Sequence, residues 1–211
     1  MLTFINSHTL KKLTLLITFF FATQSSAAEG FYIEPLLGVS EFGVAEVTNF
    51  TLSKRSTSKA FLVGYSLNQE LAAELGWLDA GKLSYSTTTG GSASFFNGGL
   101  TSNGTWSGGI DVSAKGYLLG LSYVPFRSAI WDFGFRGGIY NYEAKATMNV
   151  SVSGTTYSRQ FHSTITKPYY GLTLGYQLRE STRLGLNWLT FNDSDSAFRA
   201  NIYAMSLRKN F

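Results

Sequence analysis

From Gly30 onward the chain alternates between apolar and polar or small residues. In the segment starting at Phe31, the side chains of Phe31, Ile33, Pro35, Leu37 and Val39 share one side of an extended backbone. Tyr32, Glu34, Leu36, Gly38 and Ser40 share the other. The period of two returns seven times. Phe61, Val63 and Tyr65 oppose Gly64 and Ser66; Leu71, Ala73, Leu75 and Trp77 oppose Glu74 and Gly76. Tyr117, Leu119, Leu121 and Tyr123 oppose Gly116, Gly120 and Ser122; Trp131, Phe133, Phe135 and Ile139 oppose Asp132, Gly134 and Arg136. Tyr170, Leu172, Leu174 and Tyr176 oppose Gly171, Thr173 and Gly175, and Leu184, Leu186 and Trp188 oppose Arg183, Gly185 and Asn187. The last segment sets Tyr203, Met205, Leu207, Lys209 and Phe211 against Ile202, Ala204, Ser206, Arg208 and Asn210. Eight segments of about ten residues, recurring about every twenty, predict an all-β fold: an eight-stranded antiparallel up-and-down transmembrane barrel whose lipid and lumen faces alternate.

The connections sharpen this reading. Short links at Asn68-Gln69, 125–129 and 179–183 alternate with long ones at 41–56, 84–109, around Ser153-Gly154 and at 192–197. Short turns at one rim and long loops at the other is the outer-membrane arrangement, with both termini on the short-turn side. Residues 1–28 read separately, as a secretory signal peptide: Lys11 and Lys12 precede a ten-residue apolar run, Leu13–Ala22, and small residues at Ala27 and Ala28 suit cleavage. The run is about half the ~20 residues that a helical span requires. The barrel domain is then 29–211.

Composition excludes several classes. Setting aside Lys11 and Lys12, fifteen basic side chains remain against thirteen acidic ones, so the charge balance does not point to nucleic acid. There is no cysteine, so an exported chain must be held by strand pairing and packing alone. A soluble lipocalin-type barrel would turn its polar face to water, but that face here is rich in glycine and poor in lysine. The other face carries Trp, Tyr and Leu in segment after segment, as a lipid-facing wall with aromatic rims requires.

The signal peptide, eight alternating segments, long-loop and short-turn rhythm and terminal Phe211 resemble the small outer-membrane β-barrel proteins of the OmpA transmembrane-domain and OmpX/Ail-like group. The resemblance covers essentially the whole mature chain, without the periplasmic peptidoglycan-binding domain that full-length OmpA-type proteins add. It implies residence in the outer membrane of a Gram-negative cell and contact with its lipid and lipopolysaccharide. It also implies recognition of a C-terminal signal, here Tyr203, Met205, Leu207 and Phe211, by the barrel assembly machinery. Lys209 stands where that signal usually has an apolar residue.

Candidate chemistry is sparse. With no cysteine and His162 alone beyond the signal region, metal or cofactor ligation at known spacings is not expected. His162 and Ser163 are sequential and point to opposite faces of a strand, which argues against a nucleophile–base pair. Six charges fall on the lumen face: Glu34, Glu74, Asp132, Arg136, Arg183 and Arg208. An eight-stranded barrel is just wide enough for side chains to fill it, so these are expected to pair as a structural plug. The 84–108 stretch reads as an exposed loop, with Phe95, Phe96 and Trp106 as candidate contacts. The expected function is a monomeric, non-catalytic outer-membrane protein with a structural or loop-borne adhesive role and an extracellular ligand reached through its loops. Transport of a small or apolar solute and lipid modification are the rivals.

Overall fold

The computed structural model describes residues 30–43, 51–89, 92–95, 100–192 and 199–211; the signal region and Phe96 lie outside them. The described residues form eleven strands: β1 (Phe31–Gly43), β2 (Thr51–Ser53), β3 (Arg55–Ser66), β4 (Leu71–Thr89), β5 (Ser92–Phe95), β6 (Leu100–Asn103), β7 (Trp106–Arg127), β8 (Trp131–Val152), β9 (Thr155–Arg179), β10 (Thr182–Asn192) and β11 (Arg199–Asn210). Eight of them close a ring in the order β1, β3, β4, β7, β8, β9, β10, β11, each antiparallel to its neighbours. The ring closes where Leu37 lies opposite Met205 and the Phe211 N–H donates to the Phe31 carbonyl at 2.9 Å. No backbone edge is then left in the hydrocarbon layer, where an unpaired amide has no water to turn to.

Side chains at one rim fold the short turns. The Asn68 Oδ1 accepts from the Glu70 and Leu71 amides at 2.9 and 2.8 Å, and Ser128 Oγ accepts from the Trp131 amide at 2.9 Å. At the other end β8 and β9 meet in a two-residue turn with Ser153 and Gly154 both at positive φ, the hairpin geometry that matches strand twist.

Alternation sorts the wall into two faces. Leu119 is 56% exposed and Leu118 beside it 2%. Aromatics band the outside at two levels: Phe31–Tyr65 and Trp131–Tyr176, with centroids 4.9 and 4.8 Å apart, lie near the short turns. Trp77, opposite Tyr117, and Trp188, opposite Tyr203 and 6.2 Å from Tyr170, mark the second level. Tyr and Trp rings settle at such levels because one end is apolar and the other wet.

The strands do not stop there. A crossing needs about 9–11 residues, yet β7 and β8 have 22 each and β9 has 25. This corrects the expectation of an irregular 84–108 loop: β4 runs on to Thr89, which lies opposite Trp106, and β5 and β6 form a hairpin between them. Thr and Tyr favour pleated backbone, and the extended sheet still buries Leu83 and Val150 on its inner side. The result is an extension of β2, β4, β7, β8 and β9. Among the described residues its last strand has one side without a partner strand. β9 pairs with β8 from Thr155 onward, but β10 joins it only from Tyr169.

Candidate functional site

Inside the ring the lumen has two tiers. In the lower tier, near the short turns, all six predicted charges are buried, none more than 7% exposed. Glu34, on β1, accepts from Ser206 Oγ at 2.6 Å and from Arg208 Nε at 2.9 Å, and it pairs closely with Arg136. Glu74, on β4, accepts from Tyr32 Oη at 2.6 Å and lies 3.3 Å from Arg136 Nε and 3.6 Å from Arg208 Nη2. Asn187 accepts from Arg136 Nη1 at 3.0 Å and donates to Ser206 Oγ at 2.8 Å. The Arg208 guanidinium sits 4.0 Å from the Tyr32 ring centroid, and Arg183 pairs with Asp132 at the lower edge. Three acids meet three bases, so no charge is left without an opposite in a place where an unpaired ion is costly.

Glycines make the room. A Cβ at Gly64 would come within 2.0 Å of the Tyr32 ring, and one at Gly175 within 2.4 Å of Arg183 Cδ. The free volume within the network is about 10 Å³, close to what a single water needs.

The upper tier is apolar, and the charge pattern gave no sign of it. Tyr140 and Tyr142 stack at 4.7 Å, with Phe191 5.1 Å from Tyr140, and Tyr140 Oη donates to the Leu78 carbonyl at 3.1 Å. Leu36, Phe42, Leu62, Leu118, Leu189 and Ile202 complete the core. The signal was present where alternation breaks into adjacent apolar residues, as at Leu36-Leu37, Leu118-Leu119 and Trp188-Leu189. Tyr32, Asn187 and Ser206 were also missed as members of the lower network, being neutral.

The remaining candidates lie elsewhere. Tyr203, Met205, Leu207 and Phe211 all face outward on or just after β11, 46–74% exposed. Lys209, on the same face, donates to Ser181 Oγ at 2.5 Å. Phe95 ends β5 and Trp106 opens β7 half-buried, while Phe96, the third candidate loop contact, lies outside the described residues. His162 is exposed on β9, its Nδ1 3.8 Å from Glu143 Oε1. Among the described residues no group of three His, Cys, Asp or Glu side chains is placed to hold a metal.

On the extension, Tyr157 and Phe161 are 43% and 48% exposed, and the Arg159 guanidinium lies 5.3 Å from the Phe161 ring. At the barrel's opposite end a cavity of about 670 Å³ opens among Arg127, Asp132, Arg179, Arg183 and Arg208.

Residues 26–205 match the family described as OmpA-like transmembrane domain. No curated protein matches the sequence. Among solved structures the chain is similar to Ail of Yersinia pestis in complex with the heparin analogue sucrose octasulfate, at 13% identity over 87% of this chain and 99% of that one, with a TM-score of 0.48. It is also similar to OprG from Pseudomonas aeruginosa, at 11% identity over 89% and 98%, TM-score 0.47. A third is the Neisserial surface protein A, at 10% identity over 86% and 97%, TM-score 0.45.

Proposed function

Because the chain belongs to the OmpA-like transmembrane domain family, and is an integral β-barrel of the cell outer membrane, we propose that it is a sealed anchor for an extracellular interaction surface. The observation that carries this reading is the edge of β9 from Thr155 to Thr166, which among the described residues pairs with β8 alone, raised beyond the upper aromatic band on a paired sheet. An unpaired row of N–H and C=O groups is a template for another extended chain, and side chains on alternate positions supply selectivity. Tyr157, Arg159 and Phe161 share one face of that strand, a combination common at binding surfaces.

The lumen supports an anchor over a transporter. Its lower tier is filled by paired charges and its upper tier by a packed aromatic core, so a solute would have to break both. A catalytic role has less support: Ser163 and His162 face opposite ways, and Glu143 is the nearest ion partner of the histidine. The aromatic bands and the outward face of β11 support contact with outer-membrane lipid and lipopolysaccharide. The same face, ending at Phe211, supports reading of Tyr203, Met205, Leu207 and Phe211 by the assembly machinery.

Shortening the hairpin tests the proposal. Ala146 lies opposite Phe161, so joining them through Ser153-Gly154 removes the upper extension and keeps the register. Wild type and shortened protein are compared in pull-downs from host-surface, lipopolysaccharide and periplasmic fractions. A surface ligand held by wild type and lost on shortening supports the reading. Equal retention by both, or capture from the periplasmic fraction alone, overturns it.

A further inference from the structure

We propose that the periplasmic mouth of the barrel is a binding site for a small free solute bearing oxyanion groups, carboxylate or phosphate. The argument starts from an arrangement that strand pairing normally avoids. Arg183 on β10 and Arg208 on β11 are directly opposite each other, where like charges repel. Both are buried, and both line the cavity of about 670 Å³ at the short-turn end. Their internal partners do not exhaust them. Arg208 meets Glu34 and Glu74 through Nε and Nη2, and Arg183 meets Asp132 through Nη1. A guanidinium has five N–H donors, so each arginine keeps some for a ligand.

Two more arginines stand above this floor. Arg127 and Arg179 line the same cavity, and among the described residues neither side chain has a hydrogen bond or an ion pair. Four arginines therefore line one chamber, with Asp132, already paired, and Glu180 among its acidic lining groups. The planar fork of arginine matches carboxylate and phosphate oxygens two at a time, which chloride cannot exploit. Ser128, Asn68, Gln177 and Asn210 add neutral hydrogen-bonding groups around the wall. Behind the floor, the charge network leaves about 10 Å³. A ligand entering from the periplasm stops there. The site holds; it does not conduct.

The test uses the full mature protein folded in zwitterionic detergent, titrated calorimetrically with sodium citrate, sodium pyrophosphate or sodium chloride at matched ionic strength. Citrate, pyrophosphate or both should bind saturably where chloride does not, and the anion preferred identifies the oxyanion class. Arg127→Gln with Arg179→Gln should weaken that binding by about tenfold or more. Because both side chains are unpartnered, the denaturant midpoint in chloride should stay unchanged. Arg159→Gln, at the opposite end of the molecule, should leave binding intact. Binding indistinguishable from chloride, binding unaffected by the double substitution, or binding lost in Arg159→Gln would each overturn the proposal.

Discussion

Leu174 and Thr164 lie on the same face of the same strand, β9, roughly 33 Å apart along it at the usual rise. Leu174 has Phe133 on one side and Leu186 on the other, inside a ring with no free edge. Thr164 has Glu143 on one side and, among the described residues, no strand on the other. Around Leu174 the environment imposes a rule on every residue: lipid outside, packed lumen inside. Around Thr164 the outer face meets water, Ile165 beside it still packs against the core, and among the described residues one side of the backbone has no partner strand. One strand thus passes from a region where sequence is tightly constrained by the membrane to one where that constraint is lifted.

The largest effect should come from breaking the lower tier. Arg136 ties Glu34 to Glu74 and Asn187. Arg136→Ala should destabilise the barrel by ~3–5 kcal/mol, because it strands a buried carboxylate. Adding Glu74→Gln, which restores the balance with Arg208, should recover part of the loss in urea unfolding from lipid vesicles. A single substitution no more harmful than a surface change would mean that water reaches these groups freely.

Next in size is the outer wall. Leu174→Arg should cost ~2–4 kcal/mol if the residue sits near the bilayer midplane. Thr164→Arg, on the same face beyond the membrane, should stay within ~0.5 kcal/mol. Similar losses at both positions would erase the boundary between the two regions.

Proteolysis should draw the same boundary by a different readout. Trypsin added to intact cells is expected to cut the extension, where Lys145 and Arg159 are exposed, before any site in the ring. A surviving heat-modifiable barrel fragment would place the boundary above Tyr170. Resistance of the extension, with cutting in the ring, would reverse the assignment.

The smallest effect belongs to the extension's own ion pair. Partial burial works to raise the Asp111 carboxyl, but hydrogen bonds from Lys82 and Ser84 and the lysine's charge outweigh it and hold the pKa below the ordinary value. The Lys82–Asp111 contact is 2.8 Å. A lowered folded-state pKa adds stability above the unfolded value of ~3.9, and that stability is lost as pH falls through the folded one. Lys82 is well exposed, so the gain is small and screened by salt. Hydrogen exchange in the extension should rise below about pH 4 in wild type and lose that step in Asp111→Asn. An unchanged step in the variant would assign it to another carboxylate.

What could be read from the chain follows the same boundary. In the membrane, lipid on one side and packing on the other give alternate residues opposite chemistry, so Leu119 and Leu174 were placed correctly from period alone. Beyond it, "TTYSRQFHSTITK" scatters Tyr157, Phe161 and Ile165 among polar residues on one face and has only polar side chains on the other, too weak a contrast to read as membrane wall, and the paired run from Tyr85 to Thr89 read as loop. The inward facing of the six charges was legible, but not their pairing, because Arg136 and Glu34 are 102 positions apart and meet only across the closed ring. Glycine on the lumen face was visible as composition. That Gly64 exists for Tyr32 and Gly175 for Arg183 requires the register.

Both halves of the account depend on the lumen being shut, since an anchor has no need of a path and a transporter cannot work without one. Single-channel recording of the purified wild-type protein in a planar bilayer tests this most directly. The two packed tiers predict a flat baseline at physiological salt and moderate voltage, with openings only in variants such as Arg136→Ala that break the lower tier. Steady, reproducible conductance from the wild-type monomer would contradict the sealed lumen and make transport the primary function.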